Sequence, residues 1–402
     1  MDKNDSLHPI NEVLSFFKKT FGDTENVRVF TAPGRVNLIG EHIDYCGGYV
    51  FPAALTLGTY VAIRRNETND TVRIAATTID GIRTFKLSDI DSAKTLDWGN
   101  YQAGVVKELL SLGLSLGGFD AVYHSTIPFG AGLSSSASIE VSTGLAVSTI
   151  FGSPLTGKEL ALAGQRAENR FCGVNCGIMD QFASSMGRED HAILLDCASI
   201  THKYVPLDLG DNVLVLANTC KRHALGASKY NERRQEVSVG LEEMNRIAKA
   251  HGAPKKPNLC AFTKAELKEY APEIASDVIR KRVMHVVSEN ERVKEAVALL
   301  ESGRLAEFGA LLRDANQSIR YLYEATGEEL DAIYDATLDF EGCIGSRMTG
   351  GGFGGCTVNI VKASAVEAFK AHVAERYTAA TGNVPEFYVC KVGDGARECH
   401  LV

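Results

Sequence analysis

No apolar run in the chain approaches the ~20 residues that a membrane-spanning helix needs. Residues 1–10 carry Asp2, Lys3, Asp5 and His8 without an apolar stretch, so no secretory signal peptide is expected there. Basic blocks are missing too. The 42 lysines and arginines are outnumbered by 50 aspartates and glutamates, and the net charge of -8 is spread along the chain. That balance argues against nucleic acid or an anionic membrane as the main partner. The ten cysteines show no paired CxxC spacing. Without a secretion signal they are expected as reduced thiols in the cytoplasm, which makes the Asn-x-Thr triplets at Asn66 and Asn69 incidental. Internal repeats and low-complexity tails are also absent, and small-molecule chemistry is the class that remains.

At 402 residues the chain exceeds one ordinary core, so two domains are expected, residues 1–208 and 209–402. Ile10, Val13, Leu14, Phe17 and Phe21 stand near helical spacing and predict a helix over 7–21. Strands are expected near 27–31, 58–64, 72–76, 119–125, 191–197, 203–207 and 213–218. Thr156 with Glu159, and Thr263 with Glu266, have the spacing of capping boxes that open helices. Helices fill the chain to about 340, and a strand at 357–361, a helix capped by Ser364 and Glu367 and a strand near 386–392 follow. The whole reads as an α+β protein.

The chain is organised around Pro128-Phe129-Gly130-Ala131-Gly132-Leu133-Ser134-Ser135-Ser136-Ala137. Its glycines let the backbone approach a ligand, its serines offer hydroxyls, and residues 135–150 read as a helix. A helix starting at such a loop presents free N–H groups and a positive dipole end, a fitting seat for polyphosphate. Taken alone, the loop is equally a serine-capped helix after a flexible turn.

Other stretches carry charge in unlikely company. Residues 32–50 set Arg35, Glu41, His42 and Asp44 among glycines and apolar residues, where charge is costly unless the groups bind one another or a polar ligand such as a sugar. Glu168 falls near the C-terminal end of a helix, where the dipole disfavours a carboxylate and a local cation is expected. Asp180 lies among apolar neighbours after Gly177, and a third glycine loop occupies residues 345–356. Two motifs mislead. Residues 152–158 nearly spell a P-loop, yet Glu159 stands where Ser or Thr is needed and the segment joins two helices. Gly350, Gly352 and Gly355 match G-x-G-x-x-G, but a strand follows where a dinucleotide site needs a helix.

Taken together, these stretches resemble the GHMP family of small-molecule kinases, in order from about residue 30 to 360. Gly34-Arg35-Val36-Asn37-Leu38-Ile39-Gly40-Glu41-His42-Ile43-Asp44-Tyr45 is similar to the galactokinase signature within it. The resemblance implies a ribosomal-protein-S5-domain-2-like N-terminal domain, a ferredoxin-like C-terminal domain and an active site in the cleft between them. It implies that Gly130, Ala131, Gly132, Leu133, Ser134, Ser135 and Ser136 wrap the phosphates of ATP, with Trp98 near the adenine. Ser136 and Glu168 correspond to magnesium (Mg2+) ligands, Asp180 to the catalytic base and Arg35 to its charge partner. Glu41, His42, Ile43, Asp44, Gly177 and Tyr230 correspond to sugar-contacting positions, and residues 350–355 support the site.

The implied reaction is transfer of the ATP γ-phosphate to the C1 hydroxyl of α-D-galactose by a cytoplasmic monomer, and the chemistry of the residues agrees with it. Two alternatives come with the resemblance. One is an N-acetylgalactosamine kinase, whose signature is similar, although Gly47-Gly48 and residues 228–234 look more like galactokinases proper. The other is a non-catalytic galactose sensor, marked by a shortened serine loop, whereas residues 132–137 are intact here.

Overall fold

The computed structural model describes residues 3–221 and 226–400. Its largest sheet joins β1 (Arg28–Asn37), β3 (Pro52–Arg65), β4 (Thr71–Ala76), β5 (Ile79–Lys86), β6 (Phe119–Ser125) and β13 (Arg397–Cys399) in the order β13-β1-β3-β6-β4-β5. A three-stranded sheet holds β2 (Tyr49–Val50), β7 (His191–Asp196) and β8 (Thr201–Pro206). The third, ordered β10-β11-β9-β12, is made of β9 (Asn212–Asn218), β10 (Cys343–Thr349), β11 (Cys356–Lys362) and β12 (Glu386–Cys390). Around the first half lie α1 (Lys3–Phe21), α2 (Gly99–Ser111), α3 (Ser135–Ile150), α4 (Gly157–Ala167) and α5 (Met179–Met186). The second half adds α6 (Gly226–Ala250), α7 (Lys264–Tyr270), α8 (Asp277–Glu301), α9 (Leu305–Ser318), α10 (Glu328–Asp335) and α11 (Val366–Thr381). Among the described residues no helix is long and apolar enough to cross a membrane.

The inner strands β1, β3, β4 and β6 of the six-stranded sheet are buried on both faces and largely apolar, while the edge strand β5 is mostly exposed and polar. Side chains alternate faces along a strand. Phe30, Val61, Ile63, Ile74, Ala121 and Tyr123 pack with α2 and α3, while Val29, Tyr60, Ala62, Ala75 and Val122 meet Ile10, Val13 and Phe17 of α1. A larger core joins the two halves, running from Val36, Leu38 and Ile39 at the end of β1 to Leu216, Val358, Val286 and Phe308.

Both sequence-read capping boxes form: Thr156 and Thr263 each accept from the backbone N–H three residues on, and Glu159 and Glu266 reach back. The box expected at Ser364 and Glu367 does not. A 3-10 turn over Ala363–Ala365 precedes α11, and its N-terminus receives no side-chain cap. Strand β1 runs to Asn37, past the expected end at 31, because a register shift between Pro33 and Arg35 takes up the proline. Residues 345–349, read as the start of a glycine loop, belong to the buried strand β10, and β13 crosses back from the far end of the chain to pair with β1. The segment resembling a P-loop is a turn between α3 and α4, and the G-x-G-x-x-G run leads into β11.

Candidate functional site

The end of β1, the loop over residues 128–134 and the first turn of α5 converge on one carboxylate. Arg35, almost fully buried, forks onto Asp180 with Nε donating to Oδ1 and Nη2 to Oδ2, both at 2.8 Å. Its remaining nitrogen, Nη1, donates to the Gly132 carbonyl at 2.9 Å, so the same cation ties the loop to the carboxylate. Ser134 stands at the N-cap position of α3 but does not cap it. Its left-handed backbone (φ 61°) turns the hydroxyl to Asp180, where it donates to Oδ2 at 2.6 Å. The N-terminus of α3 is therefore without a side-chain cap from Ser134, and an uncapped helix start is what an anion seat requires. Close approach is what the glycine at 34 allows: a Cβ there would come within 2.6 Å of the Leu133 carbonyl, which also receives the Arg35 N–H at 3.2 Å.

Beside this centre is a buried acidic pair. Glu168 opens a π-helical turn after α4, and its carboxyl is pushed up to about 7 by burial and then by the charge of Asp180. The Ser136 hydroxyl lies close enough to favour its charged form. Gln181 donates through Nε2 to Oε2 of Glu168 at 2.7 Å and to Oε2 of Glu140 at 2.9 Å. Burial and Glu168 push Glu140 well above the carboxylate range. A hydroxyl beside a buried carboxylate in need of positive charge suits Mg2+, which takes one or two protein ligands and leaves its other positions to phosphate and water. Among the described residues no three His, Cys, Asp or Glu side chains gather as a metal site.

A cavity of about 260 Å³ opens at Asp180, lined by Arg35, Glu41, His42, Asp44, Glu168, Gly177 and Tyr230, with the loop after β10 forming part of its wall. The Asp44 carboxyl is raised to about 6 by burial and by Asp180. A Cβ on Gly177 would lie 1.8 Å from its Oδ2, so only glycine leaves the Asp44 carboxyl in place. His42 has both ring nitrogens in use: Nε2 meets the Gly351 carbonyl at 3.1 Å and Nδ1 the Tyr45 hydroxyl at 2.6 Å. Burial, then His285, push it down to about 3, so the ring is neutral. Nε2–H then donates to Gly351, Tyr45 donates to Nδ1, and Tyr323 donates to Tyr45 at 2.8 Å. The rings of Tyr230 and His42 sit 5.3 Å apart.

Glu41 reaches the cavity wall with its carboxylate already engaged by protein partners. It pairs with the buried Arg347 of β10 and accepts the Gly350 N–H at 3.2 Å. Burial still pushes its carboxyl up to about 7. Two further positions named from the sequence do not line this cavity. The Ile43 side chain is buried in the core and does not line the cavity. Trp98 packs edge-on to Tyr123 at 6.2 Å, outside the same cavity, with its indole N–H buried and unpartnered. The sequence reading did not single out Arg347, Gln181 or Glu140. Arg347 was visible as a lone cation in a glycine run, and Gln181 as the neighbour of Asp180, but neither has a local pattern that points to its partner.

Comparison with known proteins was made against this geometry. The galactokinase galactose-binding signature matches residues 15–65, the GHMP kinase N-terminal domain residues 100–188, and the GHMP kinase C-terminal domain residues 296–379. A galactokinase of Clostridium tetani is 46% identical over 390 residues, covering 97% of each chain. One of Bacillus subtilis is 43% identical over 392 residues, covering 96% of this chain and 98% of that one. The crystal structure of Lactococcus lactis galactokinase complexed with galactose superposes with a TM-score of 0.91 at 36% identity, over 96% of this chain and 98% of the other. A mevalonate kinase at 18% identity and a TM-score of 0.61 shares the fold.

Proposed function

The chain belongs to the galactokinase family of GHMP kinases, and from that premise we propose how its residues move the ATP γ-phosphoryl group to the C1 hydroxyl of α-D-galactose. The observation that carries the reading is the Asp180 carboxylate, gripped by Arg35 and Ser134 at the wall of the sugar-sized cavity. Oδ2 already accepts two hydrogen bonds and Oδ1 one, so Oδ1 keeps a lone pair for the C1 hydroxyl. In the proposed step the O–H proton passes to Oδ1, the sugar oxygen forms its bond to the γ-phosphorus, and the bond from that phosphorus to the ADP oxygen breaks. Arg35 holds the carboxylate in line and offsets negative charge nearby.

Residues 130–136 and the N-terminus of α3 are proposed to hold the ATP phosphates, with Trp98 toward the base. Ser136 and Glu168 are proposed to hold Mg2+, which when bound neutralises charge on the phosphate oxygens. Asp44, Tyr230 and the Gly177 backbone are proposed to bind the sugar, while Glu41 and His42, engaged by protein partners, shape the pocket. Ile43 anchors that loop from the core. We place the division between domains near residue 208, just before β9, with β13 returning to the first sheet. One chain supplies every residue of the site, which supports a working monomer, and ten unpaired cysteines suit the reducing cytoplasm.

ADP release with Mg-ATP, measured against galactose, N-acetylgalactosamine, glucose, L-arabinose and mevalonate, tests the reading. Galactose should turn over well above the rest. Asp180→Ala should lower kcat by about 10²–10⁴-fold, the worth of a positioned base, with galactose binding retained. Near-normal turnover of that variant rules out the assigned role, and a preference for N-acetylgalactosamine moves the substrate.

A further inference from the structure

Asp180 and Gln181 are consecutive in the first turn of α5 and point about 100° apart, as neighbours on a helix do. Asp180 faces Arg35 and the cavity, while Gln181, fully buried, faces α3 and the end of α4. Both hydrogens of its amide nitrogen are used, one on Oε2 of Glu168 and one on Oε2 of Glu140. Among the described residues the amide oxygen has no partner, and neither has Oε1 of Glu140. A buried acceptor without a donor is costly. Rotating the amide would place that oxygen against two carboxyl groups, so the observed orientation gives up local satisfaction to keep both N–H groups on the acids.

The surroundings are shaped to the same end. Gly164 lets α4 close on this pair: a Cβ there would stand 3.0 Å from Cγ of Gln181 and 3.3 Å from Oε2 of Glu140. On Glu168, Oε2 also accepts from the Cys176 thiol at 3.5 Å. One carboxylate oxygen is therefore fixed by protein donors, which leaves Oε1 for a cation.

We propose that Gln181 is the positioning residue that aims the Glu168 carboxylate at the divalent cation, and that Glu140 anchors Gln181 for this purpose. The inference rests on the cation role given to Glu168. Partners that orient a metal ligand typically contribute about 10–100-fold to metal affinity.

The test follows Mn2+ in its ternary complex with ADP and the full-length protein. Water-proton relaxation separates Mn–ADP held by the protein from free Mn–ADP. Gln181→Met keeps the volume without the amide and should weaken the ternary complex by about 10–100-fold, and Glu168→Gln by at least as much. Glu140→Gln keeps an oxygen for the Gln181 amide and should stay within about threefold of the parent, as a conservative hydrogen-bond replacement does. Galactose binding and metal-free ADP binding should be retained in all three. If Gln181→Met does not fold, Gln181→Asn withdraws the amide by one methylene and should show the same weakening. A normal ternary complex in the Gln181 variants, beside a weak one in Glu168→Gln, overturns the positioning role and leaves the cation reading standing. A normal complex in Glu168→Gln overturns both.

Discussion

Asp44 carries the most informative titration at the cavity. Its carboxyl keeps its proton up to about 6, where an unperturbed aspartate loses it near 3.8, because burial and Asp180 oppose the charge. A raised acid stabilises the fold fully below about pH 4, and that contribution is lost as pH rises through 6. If the carboxylate is the form that accepts sugar hydroxyls, galactose affinity should fall toward tenfold per unit below pH 6. The rise in Tm on adding galactose should be larger at pH 7 than at pH 5, and Asp44→Asn should flatten the difference. Calorimetric titration of galactose across pH 5–8 checks this without involving the phosphoryl step. Gly177→Ala tests the same carboxyl by geometry. The new Cβ would sit 1.8 Å from Oδ2, so the side chain must swing away. Galactose KM should rise by tenfold or more, the scale of one lost charge-assisted hydrogen bond, while the KM for ATP holds.

Among the elements, α4 leads to Glu168 and starts from a capping box whose members face solvent. Thr156→Ala should cost about 1 kcal/mol of stability, read as a lower urea midpoint with both KM values unchanged. Local chemistry of this kind was legible in the sequence, since Thr156 and Glu159 need no distant partner. Strand β10 was not. Gly345-Ser346-Arg347-Met348-Thr349 looks like glycine-rich loop because its polar residues are satisfied far away: Thr349 accepts the Asn37 N–H at 2.9 Å, and Arg347 pairs with Glu41. The Ser364–Glu367 pattern failed for the opposite reason. The spacing was there, but the chain enters α11 through a 3-10 turn that places Ala365 at the N-cap.

For the whole molecule, the shared core and the Glu41–Arg347 pair bind the two halves. Arg347 is fully buried and also lies 3.7 Å from Glu289, so its charge offsets two buried acids. Arg347→Met leaves Glu41 without its cation, while Glu289 keeps Arg292 at 2.7 Å, and should cost about 3–5 kcal/mol, measured by denaturant unfolding. Because the largest cluster runs from β1 to α9 and α11 without a break, heating the parent should give one calorimetric transition. Two resolved transitions would show that the halves unfold separately.

The sequence alone determined what depends on neighbours along the chain: the apolar alternation of the strands, two capping boxes, the glycine and serine loop, and the galactokinase-like run around Glu41, His42 and Asp44. It also marked Arg35, Glu168 and Asp180 as costly charges that need partners. The partners' geometry came only from the tertiary structure. Arg35 meets Asp180 across 145 residues of sequence, and Glu41 meets Arg347 across 306. Local pattern restricts φ, ψ and the buried face of each element, whereas contacts at such separations are set by how whole elements pack. That is why Ser134 could be read from the sequence as a loop residue, while its hydrogen bond to Asp180, 46 residues away, could not.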